Sequence, residues 1–119
     1  MLEIHKETAS DGALVLRLTG AATVEQAEPL RQALLDAVQQ GEQEHKPLRL
    51  DCAQVIEIDS FILQMLCSAH RTAVARQVVM VWDGRPSSPV MGMIREAGFL
   101  RHAGCSRCPD DQRCMWCEK

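Results

Sequence analysis

The sequence predicts an α/β domain: a mixed, mostly four-stranded sheet with three main helices packed against it, in the order β-β-α-β-α-β-α. Three observations carry that expectation. Apolar residues alternate with period two at Leu2 and Ile4, at Leu14, Leu16 and Leu18, and again at Leu48 and Leu50. They recur at helical spacing in the stretches between and after these strands, and a near-continuous apolar run follows at Val78-Val79-Met80-Val81-Trp82. Strands that alternate with helices call for a sheet with helices laid against it.

Residues 2–8 and 13–19 read as a hairpin, because Ser10-Asp11-Gly12 between them is turn chemistry. Leu30, Ala33, Leu34, Ala37 and Val38 form one face of the first helix, with Arg31, Gln32, Asp36, Gln39 and Gln40 opposite. Its start has two readings: a capping box from Thr23 to Gln26, or a first turn containing Pro29. Gly41 is the expected stop. Residues 47–52 alternate as a strand that continues loosely through Val55 and Ile56.

Asp59-Ser60 opens a second helix, from Phe61 to about Arg76, with Ile62, Met65, Leu66, Ala69 and Ala73 on its apolar face. The run within residues 77–82 reads as a strand buried on both faces. Ser87 or Ser88 caps a third helix from Pro89 to about Ala97, with Gly98 as its stop. Phe99 and Leu100 are expected to tuck back onto the core. The predicted core includes Leu16, Leu18, Leu34, Leu50, Ile62, Leu66, Val79, Val81 and Ile94. From Gly104 the composition turns to Cys, Arg, Asp and Pro, so residues 1–103 form the domain and residues 104–119 a cysteine-rich tail.

Composition narrows the functions. At 119 residues with 46% apolar and 24% charged side chains, one domain with a real core fits. Only 3% of the residues are aromatic, and none is Tyr, so the stacking platforms of single-strand binders are missing. A net charge of −3 gives no basic footprint for phosphates, which argues against a nucleic-acid partner. No apolar stretch is long enough to insert in a membrane. The first seven residues mix charged with apolar side chains, unlike a secretory leader, and six cysteines without one point to a reducing compartment, the cytoplasm.

Two places carry candidate chemistry. At Ile58-Asp59-Ser60-Phe61-Ile62 a strand end runs into a helix start, where the first N–H groups lack internal partners. Asp59 or Ser60 can cap them, and a phosphate on Ser60 would be received well there. The plain reading is an ordinary N-cap. The order of elements, Leu16-Arg17-Leu18-Thr19-Gly20 before the first helix, Asp59-Ser60 opening the second and Glu96-Ala97-Gly98-Phe99 closing the third together resemble a STAS domain over roughly residues 1–103. These are the sulfate-transporter and anti-sigma-factor-antagonist domains. The resemblance implies a non-enzymatic module that binds a protein partner, an anti-sigma kinase or another bacterial signalling protein. It also implies that Ser60 is the phosphorylated switch, with Asp59, Ser60 and Phe61 meeting the partner. The family usually places Ser or Thr and then Gly after Asp-Ser, whereas this chain has Phe61 and Ile62. That departure keeps a second implication open: an unphosphorylated scaffold or subunit in a chemosensory or transporter complex.

The second place is the tail. Cys105-Ser106-Arg107-Cys108 and Cys114-Met115-Trp116-Cys117 are two C-x-x-C pairs separated by Pro109-Asp110-Asp111-Gln112-Arg113. Such pairs offer four thiolates to one tetrahedral zinc ion, although this linker is shorter than in most zinc ribbons. Redox-labile cysteines, an unstructured tail and an iron–sulfur cluster are the other readings, and His102 stands near enough to replace a ligand. Thioredoxin-type chemistry is excluded, since neither pair starts a helix after a central strand. Cys52 and Cys67 read as buried small hydrophobes, and His5, His45, His70 and His102 as surface histidines.

Overall fold

A computed structural model describes residues 2–98 of the chain. Its elements are β1 (Leu2–Thr8), β2 (Leu14–Ala22), α1 (Ala27–Glu44), β3 (Leu48–Ile58), α2 (Ser60–Ala75), β4 (Met80–Trp82) and α3 (Ser88–Glu96), with one 3₁₀ turn at Val24–Gln26. The four strands lie in sequence order. β1 is antiparallel to β2, whereas β2–β3 and β3–β4 are parallel. Each parallel pair is bridged by a helix, as the geometry of parallel strands requires.

The hairpin forms because Asp11 Oδ1 accepts from the Ala13 N–H at 3.1 Å and Gly12 takes the left-handed conformation, φ 92°. From there the period of two sorts the side chains. Leu14, Leu16, Leu18, Leu48, Leu50, Cys52 and Met80 are buried on one face, against Leu30, Leu34 and Ala37 of α1, Ile62, Leu63, Leu66 and Ala73 of α2, and Val90 and Ile94 of α3. The opposite face carries charge. Arg17 binds Glu7 at 2.7 Å and Asp51 at 2.9 Å, and Arg49 pairs with Asp11.

Several expectations need correction. Val79 is 36% exposed and Val81 is half-buried, while Val78 and Met80 supply the core contacts. β4 is a three-residue edge strand with helices on one face only, so its apolar run is not buried on both sides. β3 extends to Ile58. Extra residues in β3 between the pairs Arg17↔Asp51 and Thr19↔Gln54, and again between Gly20↔Val55 and Ala21↔Glu57, are absorbed as bulges.

α1 does not stop at Gly41 but runs to Glu44. His45 then turns left-handed at φ 57°, and the Lys46 N–H returns to the Gly41 carbonyl at 3.0 Å. Both start signals of α1 are used: the Gln26 side chain accepts from the Thr23 N–H at 3.2 Å across the 3₁₀ turn, and Pro29 lies in the first turn of α1. α3 begins at Ser88. Ser87 is the N-cap residue, as one of the two expected; its hydroxyl makes no capping bond to α3 but donates to the Val55 carbonyl at 2.6 Å and so fastens the chain to β3. Gly98, at φ 73°, follows α3 as its stop. Phe99 and Leu100 lie outside the described residues.

Candidate functional site

The end of β3 delivers Asp59 and Ser60 to the sheet's C-terminal rim. Ile58 is pinned opposite Ala22, and the Asp59 N–H donates to the Ala22 carbonyl at 3.3 Å. Asp59 is the N-cap of α2, with extended backbone at φ −103° and ψ 168°. Its Oδ1 accepts from the Ile62 N–H at 2.9 Å, satisfying a donor that the helix cannot. Its Oδ2 accepts from the Val24 N–H at 2.8 Å. One carboxylate thus starts α2 and holds the turn that leads from β2 into α1.

Ser60 is the first residue of α2 and is exposed. Phe61 beside it is 51% exposed, so both side chains are open to solvent. Ile62 points the other way and is fully buried. The three predicted partner-facing residues therefore separate in role: Asp59 faces back into the backbone, and Ser60 and Phe61 face solvent.

Two residues join this rim that the sequence did not mark. Val24 is 57% and Ile56 73% exposed. Val24 is tied to Asp59 by its backbone hydrogen bond, and Ile56, on the strand that ends at Ile58, is turned away from the core by a bulge of β3. The flanking residues Glu25 and Glu57 are exposed as well. In the sequence, Val24 and Ile56 look like any other apolar residue; Ile56 even keeps the parity of Leu48, Leu50 and Cys52, and only the bulge of β3 puts it outside.

The other candidates fall away from this rim. Cys52 is buried and its thiol is pushed up to about 12 by burial, so it is not a nucleophile at neutral pH. Cys67 is half-buried. His70 corrects an expectation: it is buried at 2% exposure, and burial holds its imidazole below the ordinary value. His5 and His45 are exposed as expected. An open cleft of about 570 Å³ lies at the far end of α2, lined by Gly41, Glu42, His45, Lys46, Arg76 and Val79 among others. Its cations are already matched, Arg76 to Glu42 and Lys46 to Glu44, each at 3.1 Å. Among the described residues no cluster of three His, Cys, Asp or Glu side chains is placed to hold a metal ion. Cys105, Cys108, Cys114, Cys117 and His102 lie outside the described residues. No helix among the described residues is long and apolar enough to cross a membrane.

The fold is thus a one-sided α/β sandwich whose exposed rim combines a helix start with exposed apolar side chains. The family described as "Mlab, STAS domain" matches residues 5–101, and the chain belongs to the STAS domain family. Among solved structures, one described as "Crystal Structure Analysis of Mglu" matches with a TM-score of 0.53 and 21% identity over 68% of this chain. The match takes in only 19% of that chain, and at this identity it speaks for the fold alone. No curated protein matches.

Proposed function

We propose that this STAS domain is a non-enzymatic regulatory module of the anti-sigma-antagonist kind, working in the cytoplasm and switched by phosphorylation at Ser60. The supporting observation is the exposed Ser60 at the first position of α2, with Asp59 already committed to the backbone. A phosphate on Ser60 gains from the positive end of α2 and leaves the fold intact. Its cost falls on the complex. Up to two negative charges enter a surface that already holds Glu57 and Asp59 and is otherwise apolar at Phe61, Ile56 and Val24, and a partner has to desolvate them.

A serine kinase of the anti-sigma type, supplied with ATP, tests the reading: mass spectrometry should locate the phosphate on Ser60. In titration calorimetry against that kinase, Ser60→Asp should bind at least tenfold more weakly, a difference of about 1.4 kcal/mol. Ser60→Ala should bind whether or not ATP has been added.

One observation favours a second reading. The half-exposed ring of Phe61 offers a docking contact that needs no phosphate, and it stands where the family usually has a small residue. An unphosphorylated scaffold of a chemosensory or transporter complex would keep its affinity in Ser60→Asp and lose it in Phe61→Ala. For the tail, we propose one zinc ion held by Cys105, Cys108, Cys114 and Cys117, on the support of their paired spacing.

A further inference from the structure

The two edges of the sheet differ. Beyond β4, the chain keeps to the side of β3: the Asp83 N–H donates to Leu50 at 2.9 Å, and the Ser87 N–H to Cys52 at 3.2 Å. That edge has only the three residues of β4 in strand form, followed by a connection tied to β3. Among the described residues β1 forms the other edge, with seven residues that pair with β2 on one side only. On its helix side, Leu2 and Ile4 are only partly buried at the margin of the core. On its other side, Glu7 is taken up by Arg17, while Glu3 and His5 make no ion pair or side-chain hydrogen bond among the described residues.

We infer that β1 is a self-association edge, pairing antiparallel with β1 of a second copy about a two-fold axis at Ile4. For two sheets to continue as one with their helices on the same side, residues of like parity must stand opposite each other. A dyad at His5 places Glu3 opposite Glu7 twice. A dyad at Glu3 opposes the two Glu3 carboxylates, and a dyad at Lys6 opposes the two ammonium groups. A dyad at Ile4 brings no like charges together. It sets Glu3 opposite His5 of the second copy on both sides of the axis, stacks Ile4 on Ile4, and lays the Lys6 stem over Leu2. The arrangement is isologous, so each cross-strand pair occurs twice. It joins two four-stranded sheets into one of eight and leaves the Ser60 rim untouched.

The surface of one strand pair is small, so the association is weak and reversible. Sedimentation of the full chain under reducing conditions, from about 10 µM to about 1 mM, reads it directly. The average mass should rise from monomer toward dimer across that range. Glu3→Arg, at an exposed position, replaces the carboxylate that faces His5 with a guanidinium on both sides of the axis and should weaken dimerisation about tenfold without loss of fold by circular dichroism. The double variant Glu3→His with His5→Glu exchanges the members of each pair and should restore the wild-type midpoint. A chain that stays monomeric throughout overturns the inference, including the case in which another segment of the protein covers the edge. So does a dimer insensitive to Glu3→Arg, or one that the double variant fails to restore.

Discussion

Asp59 shows how much one side chain decides in this domain. Its two oxygens accept from Ile62 and Val24, so a single carboxylate sets where α2 begins and where the β2–α1 connection runs. Asp59→Ala should cost about 1–2 kcal/mol in urea denaturation, the usual worth of a lost cap, and should move the amide resonance of Val24 as well as that of Ile62. An unchanged Val24 resonance would mean that the second bond is not held in solution.

His70 makes a residue-scale prediction of another kind. Burial lowers its pKa in the folded chain below the ordinary 6.5, so the unfolded chain binds the proton first as pH falls. Its contribution is complete above about 6.5 and is lost as pH drops through and below that value. Asp11 is held below its ordinary 3.8 by the Ala13 N–H and then Arg49, and Glu44 below 4.5 by Lys46 and then Gln40. Their contributions stand above those ordinary values and fade only in stronger acid, a separate window. Denaturation midpoints between pH 7 and 5 should therefore fall in the wild type and flatten in His70→Gln. Parallel slopes in the two proteins would contradict the assignment.

Among the elements, α1 is the clearest case of physics that a sequence pattern hides. Gly41 lies within the helix, and a Cβ on it would stand 2.9 Å from the Lys46 carbonyl and 3.1 Å from Cγ1 of Val78. The glycine permits the chain leaving α1 to cross back closely, and His45 takes the left-handed stop. Gly41→Ala should destabilise by about 1–3 kcal/mol despite the better helix propensity of alanine, because a backbone oxygen has to move. A stabilised variant in urea would show that the crossing is loose.

The same contrast runs through the other elements. The hairpin, the start of α2 at Asp59-Ser60 and the core phase of Leu16, Leu50, Ile62 and Leu66 were legible because turn, cap and period are local signals. The length of β3 was not, since its bulges are set by pairing with β2. Nor was the exposure of Val79, which depends on β4 lying at an edge, or the burial of His70, a polar residue on a helix face otherwise lined by Ile62, Leu66 and Ala73. At the site, Asp59, Ser60 and Phe61 could be read in sequence. Val24 and Ile56 belong to it only because the fold carries them to the same rim.

For the whole molecule, the division of labour is spatial. Among the described residues the buried cluster draws on every strand from β2 to β4 and on all three helices, a core that lies within the proposed domain of residues 1–103. Residues 1–103 alone should therefore unfold cooperatively with a midpoint close to that of the full chain. The full chain, prepared reduced and with zinc supplied, should carry about one zinc by elemental analysis, and Cys108→Ser or Cys114→Ser should lose it. Full chain without metal under those conditions would defeat the zinc proposal and leave the domain's account intact.

The Ser60 rim is, in the function proposed above, a docking surface controlled by charge at one hydroxyl. That control is tested most directly by titrating an anti-sigma-type serine kinase with the wild type, Ser60→Ala and Ser60→Asp, each first shown to have the same thermal midpoint. The midpoints should be equal, the wild type and Ser60→Ala should bind tightly, and Ser60→Asp should bind at least tenfold more weakly. Ser60→Asp binding as tightly as the wild type would contradict it.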